Sequence, residues 1–145
     1  MRVEDVLRHK VGGGAVATVP GDATVGEALA QLVERNVGAL VVSADGEHVD
    51  GVVSERDVAR GLHARGGDVL GDLVGTLMTA QVHTCTPATA VTDLTRLMTE
   101  HRVRHVPVLV AGRLAGIVSI GDVVKARLDE LETEREQLVD YIQTS

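Results

Sequence analysis

The sequence predicts an α+β fold, an α/β-type sandwich assembled from two tandem β-α-β-β-α repeats. The first observation is duplication: Gly51-Val-Val-Ser-Glu-Arg-Asp-Val58 returns as Gly116-Ile-Val-Ser-Ile-Gly-Asp-Val123, 65 residues later. Upstream the match continues at a shift of 66, pairing Val16 with Val82, Thr18 with Thr84, Val25 with Val91, Val37 with Val103 and Gly46 with Gly112. The change of shift falls in the loop after Gly46, where an insertion is least disruptive. The second observation is that helical and alternating apolar patterns follow one another in the same order in both copies. The third is length: 145 residues suit one domain, and two units of about 47 residues are expected to share a core.

Each element has a local reason. Short lead-in strands are expected at Val16–Val19 and Val82–Cys85. Thr24 to Glu27 is a capping box, and Val25, Ala28, Leu29, Leu32 and Val33 keep helical spacing up to about Asn36. Val37 to Ser43 is a β-branched run, Asp45-Gly46 a hairpin turn, and Val49 to Val53 the return strand. Ser54 then caps a helix from Arg56 to about Leu62. The second copy has a helix from Val91 to about His101, a strand over Val103–Val110, a turn at Ala111-Gly112, a strand over Leu114–Ser119 and a helix from Gly121 onward. Pro107 weakens the first of those strands and suggests an edge or a bulge.

The domain plan is therefore a lead-in over 1–15, repeats over 16–62 and 82–128, a connector over 63–81 and a helical extension over 129–145. In the connector, Leu70, Leu73, Val74, Leu77 and Met78 form a short amphipathic piece. In the extension, Val124, Leu128, Leu131, Arg135, Leu138 and Ile142 keep a 4-3-4-3-4 spacing, the rhythm of a helix that meets a partner. A helix folded back on its own domain is the alternative.

Composition excludes several functions. The formal net charge is −7 with a single aromatic residue, Tyr141, whereas nucleic-acid binders present basic faces and, for single strands, stacking aromatics. No run of 18 apolar residues occurs, so no membrane span is expected. Acids follow Met1 where a signal peptide would be basic then apolar, which points to the cytoplasm. Cys85 is the one cysteine and reads as a small core residue. His101 and His105 are split between a helix end and a strand start, without a third ligand, so no metal site is expected. His83 near Cys85 makes a weak thiol–imidazole candidate. Gly12-Gly13-Gly14 lacks the Lys-Ser/Thr ending of a phosphate loop and reads as a flexible lead. No catalytic set emerges.

Paired β-α-β-β-α units that each close on Gly-h-h-Ser-x-x-Asp (h apolar) resemble the cystathionine β-synthase (CBS) domain pair, the Bateman module. With Glu-His-Arg-Val-Arg-His-Val-Pro-Val, the chain resembles small stand-alone bacterial CBS-pair proteins, and the likeness covers residues 16–128. The resemblance implies one pseudo-twofold module that binds an adenine nucleotide (AMP, ADP, ATP or NAD) between its repeats. It also implies which residues line each cleft. Ser119, Gly121 and Asp122 are expected with Thr18, the backbone at Val37 and Gly38, and Arg104 and His105 for phosphate. Ser54, Arg56 and Asp57 are expected with Thr79, Thr84 and the backbone at Val103 and Arg104. Lys10 is a candidate to swing over the Asp122 cleft; Arg60 and Lys125 read as solvated or as outer phosphate contacts.

Physics offers two readings of Ser-x-x-Asp. Ser54 with Asp57, and Ser119 with Asp122, have capping-box spacing, which justifies both residues structurally. The same helix N-terminus attracts phosphate, and its carboxylate suits a ribose diol. Two functions follow: a nucleotide-sensing module that signals to an unidentified regulated partner, or a ligand-free scaffold whose dimer surface is the function. A homodimer is expected in either case, through the faces of the four repeat helices and the Val124–Ile142 seam, with Arg135 answered by Glu132, Glu134 or Glu136 of a second copy.

Overall fold

A computed structural model describes residues 1–10 and 16–144; the Gly12–Gly14 lead lies outside the described residues. In the first repeat, strand β1 (Thr18–Val19) precedes helix α2 (Val25–Arg35), strands β2 (Ala39–Val42) and β3 (Gly51–Ser54), and helix α3 (Glu55–Arg65). Helix α5 (Val91–His101), strands β4 (His105–Val110) and β5 (Arg113–Ser119), and helix α6 (Ile120–Thr144) form the second. Two further helices, α1 (Val3–Arg8) and α4 (Val74–Leu77), flank the repeats, α4 being preceded by a 3-10 turn at Gly66–Gly71. No helix among the described residues is long and apolar enough to cross a membrane.

Local chemistry accounts for the boundaries. The Thr24–Glu27 capping box is formed in both directions, and α2 ends with Asn36 at φ 52°, in the left-handed region that asparagine tolerates at a helix end. Ala111 and Gly112 both have positive φ, which matches a tight hairpin whose twist suits the flanking strands. In the first repeat the connection is longer. Asp45 accepts from the backbone N–H groups of Glu47 and His48, and those contacts push its carboxyl well below the usual range, His48 contributing most.

β1 pairs parallel with β2, and β2 antiparallel with β3. The second repeat copies this plan except at its start. The expected strand Val82–Cys85 is reduced to one parallel bridge between Cys85 and Val108. Pro107 supplies the reason. In the first repeat Val41 donates its N–H to Ala17; the matched pair is Pro107 and His83, and proline has no N–H to give. Pairing survives only beyond it, where Leu109 donates to Cys85 and Cys85 to Pro107. Pro107 itself stays in register with Ile117, and the ladder slips just after it, between Val108 and Leu109. The bulge anticipated from Pro107 is present.

The expectation of one shared core needs correction. Buried side chains form two clusters: Val19, Val25, Ala28, Leu32, Leu40, Val42, Val53, Val58 and Val74 in one. Val3, Val6, Cys85, Val91, Leu94, Met98, Val106, Val108, Val118, Val123 and Ala126 form the other. Each repeat borrows a helix from outside itself, so neither lacks side chains to bury. α4 serves the first repeat: Val74 donates to Ala23, and Val25 to Asp72. α1 serves the second identically: Val3 donates to Thr89, and Val91 to Met1. The repeats meet where Gly38 faces His105; a Cβ on Gly38 would stand 3.1 Å from the ring. Leu114 also donates across to Glu47.

Candidate functional site

The β-strand pairs and the helices that follow them leave two clefts, one beside Asp57 and one beside Asp122. Glu55 donates its N–H to Gly38 O, and Ile120 donates to Arg104 O. Each motif helix is thus tied at its first residue to the strand lead of its own repeat, and the other repeat completes the cleft, with Val103 and Arg104 beside Asp57 and Val37 and Gly38 beside Asp122.

The Asp57 cleft encloses about 450 Å³ and is lined by Ser54, Arg56, Asp57 and Thr79, with Val103 and Arg104 from the second repeat. Val52 and Val82 supply further aliphatic wall, and Glu55, Arg60, His83, His101 and Arg102 complete the rim. Thr79 is held by reciprocal backbone bonds to Val52. Asp57 accepts on Oδ2 from the Ser54 N–H (2.8 Å) and hydroxyl (3.0 Å), and its own N–H donates to Ser54 Oγ. Asp57 Oδ1 has no partner among the described residues.

The Asp122 cleft encloses about 510 Å³ and is lined by Lys10, Val37, Gly38, His105, Ser119 and Asp122, with Val6, Arg35, Asn36, Ile117 and Lys125 around them. Ser119 N–H donates to Asp122 Oδ2 at 2.9 Å, and Asp122 N–H to Ser119 Oγ at 3.0 Å. Lys10 Nζ lies 3.0 Å from the same Oδ2 and donates to Ile117 O at 2.7 Å. Burial, the largest single influence on the Asp122 carboxyl, raises its pKa. The Ser119 N–H and the Lys10 bond and charge outweigh it, so the net direction is down.

His105 belongs to both clefts, as does Gly38. Burial and then the Lys10 charge hold its imidazole below the ordinary value. His83, released from the ladder opposite Pro107, stacks on His101 with ring centres 3.9 Å apart. That stacking, and burial that pushes the Cys85 thiol up to about 11, removes the thiol–imidazole arrangement considered from sequence. Cys85 lies in the second core.

Most expected residues are brought together, but four expectations need correction. Arg104, immediately before β4, lines the Asp57 cleft and not the Asp122 cleft. Thr18 is engaged in β1, paired with Val41, and is absent from both linings. Thr84 is also absent and is exposed, its segment having lost strand pairing to Pro107. Gly121 is exposed in the first turn of α6 and lines neither cleft. Sequence reasoning passed over Arg102, Arg35 and Asn36. They stand one or two residues before Val103 and Val37, at the same 66-residue shift, so following the repeat upstream would have found them.

Taken together, the geometry defines a paired-repeat module with a carboxylate-bearing cleft on each side of a pseudo-twofold axis. The CBS domain family matches residues 3–64 and again 74–129, and the chain belongs to that family. A mitochondrial CBS domain-containing protein of Arabidopsis thaliana is 37% identical over 97% of this chain and 71% of its own length. The crystal structure of a CBS-domain containing protein from Agrobacterium tumefaciens superposes with TM-score 0.82 at 44% identity, covering 88% of this chain and 99% of that one. A CBS domain protein from Pyrobaculum aerophilum, solved in complex with AMP, has TM-score 0.76 at 29% identity over 92% and 99% of the two chains.

Proposed function

We propose that the protein is a regulatory module that senses an adenine nucleotide (AMP, ADP, ATP or NAD) in the clefts between its repeats, and that it is not an enzyme. It reports occupancy to a regulated partner through its own shape or the geometry of a homodimer. The observation that carries this reading is the state of Asp57. The helix cap uses one carboxylate oxygen and leaves the other facing a cleft edged with cations. A group that only capped a helix would not need that surrounding. A ribose diol suits the free oxygen, and phosphates suit the helix N-terminus and arginines beside it. The remaining wall is aliphatic, from Val52, Val82 and Val103 in the Asp57 cleft and from Val37 and Ile117 in the Asp122 cleft. The AMP complex of the Pyrobaculum relative supports the ligand class.

Calorimetry on folded variants tests the assignment. Asp57→Ala is expected to weaken its own cleft by roughly 1–3 kcal/mol while leaving the other intact, and Asp122→Ala the reverse. Both variants also lose a cap worth about 1 kcal/mol of stability, so each is compared below its melting point. Wild-type affinity in both would refute the ribose assignment.

A second reading has its own support. Lys10 already neutralises Asp122, and Val124, Leu128, Leu131 and Leu138 are exposed along α6, as in a scaffold whose surface matters more than its clefts. An adenine nucleotide that raises the melting temperature decides against it, because a ligand stabilises only the state that binds it.

A further inference from the structure

The pseudo-twofold places matched side chains around the two clefts, so one serves as an internal control for the other. At positions where the second motif and the first repeat have Gly121, Asn36 and Gly38, the Asp57 cleft has Arg56, Arg102 and Arg104. Arg60 is matched by Lys125, and Arg35 of the Asp122 cleft by His101, so four guanidiniums edge one cleft and one the other. Arg56, Arg60, Arg102 and Arg104 form no ion pair among the described residues. The chain as a whole is acidic, with net charge −7, so four unpaired arginines around one cleft are not a general surface property. The Asp122 cleft instead holds its acid in an internal pair with Lys10.

Arg102 adds a second line of argument. It ends α5 at φ 54°, in the left-handed region, where its counterpart Asn36 sits at φ 52°. Asparagine tolerates that backbone and arginine does so poorly. Arg102 is exposed and gains no burial there; what its position provides is a charge at the mouth of the cleft. Neither volume, at about 450 and 510 Å³, nor formal charge separates the two sites, but the kind of cation does: four guanidiniums edge the Asp57 cleft, and the Asp122 cleft has one, Arg35, with two lysines.

Resting on the adenine-nucleotide reading above, we infer that the Asp57 cleft takes a nucleoside di- or triphosphate, while the Asp122 cleft takes a nucleoside with one phosphate at most. Guanidinium forks hold phosphate oxygens in pairs, and three more of them suit a chain of phosphates. In the other cleft Lys10 is held on Asp122 and Ile117 O, which leaves one guanidinium, Arg35, and the Lys125 ammonium for phosphate.

The test is calorimetry on the full chain in an Asp122→Ala background, which isolates the Asp57 cleft, with ATP, AMP, adenosine and inorganic tripolyphosphate. ATP is expected to bind at least about tenfold tighter than AMP, and added salt to narrow that gap. Adding Arg102→Asn and Arg104→Ala should bring ATP to within about threefold of AMP while AMP itself changes little. Arg102→Asn alone, which relaxes the backbone, gives the same trend in a variant expected to fold well. Equal affinities for ATP and AMP would overturn the inference and leave the nucleotide reading standing, as would an ATP preference that survives both substitutions. Tripolyphosphate binding as tightly as ATP, with AMP and adenosine silent, would overturn both, because the base would then contribute nothing.

Discussion

Asp57 and Asp122 are the residues on which local structure and the proposed function coincide. Each closes a capping box through one oxygen, so the spacing Ser-x-x-Asp was legible as a helix start. Its proposed second use, as a ribose contact, was suggested only because the motif occurs twice. Arg102 makes the opposite case, a residue that local structure disfavours. A left-handed backbone costs an L side chain roughly 1–2 kcal/mol, so Arg102→Asn should stabilise the fold by about 1 kcal/mol, raising Tm by about 2–4 °C. A melt of the ligand-free protein measures it; no change would mean the backbone there is unstrained. His105 sets a pH dependence. Its folded pKa lies below the ordinary 6.5, through burial and then Lys10, with Arg104 acting the same way and Asp122 and Glu55 opposing. Between the two values the unfolded chain binds more protons, so stability rises with pH. The contribution is complete above the unfolded value and is lost as pH falls through 6.5 toward the folded pKa. Tm should drop between pH 7.5 and 5.5, and less so in His105→Asn. Asp122, with its pKa lowered from 3.8, loses its own contribution only at more acid pH, so the windows separate.

At the scale of elements, the helices and hairpins were readable because their signals are local. Capping at Thr24, the apolar stripe of α5 and the Ala111-Gly112 turn each lie within one segment. Elements that depend on distant partners were not. The lead-in at Val82 has the composition of a strand but pairs with a segment containing Pro107, and one absent N–H decides the outcome. α1 was missed because six residues carry too little periodicity to stand alone. Its Val3-x-x-Val6-Leu7 does mirror Val74-x-x-Leu77-Met78, at a shift of 71. The five extra residues of that shift separate it from the 66-residue register, which hides the match. α6 runs to Thr144, as the a/d spacing implied, and its residues from Leu131 onward are exposed. Truncation after Leu128 should therefore spare both cores and both clefts while loosening a homodimer. Light scattering and nucleotide titration on the truncated chain check both halves; loss of binding would place the extension in the site.

For the whole molecule, duplication explains both the symmetry and its failures. Two repeats with separate cores are tied together by a glycine facing a histidine, by the backbone bond from Leu114 to Glu47, and by the exchange of α1 and α4. His105 and Gly38 line both clefts, so under the proposed function a ligand in either one would touch a wall of the other. The exposed Val33 and Leu62 on the repeat helices and Val124, Leu128, Leu131 and Leu138 on α6 predict a homodimer at micromolar concentration, with or without nucleotide. A species of 15.3 kDa that stays monomeric with ligand would contradict it. The central claim is adenine sensing, and calorimetry of the wild-type chain with AMP, ATP, NAD and GMP tests it most directly. At least one adenine compound should bind with measurable heat and clearly tighter than GMP, since backbone and valine side chains read the purine edge; equal heats, or none, across all four would contradict it.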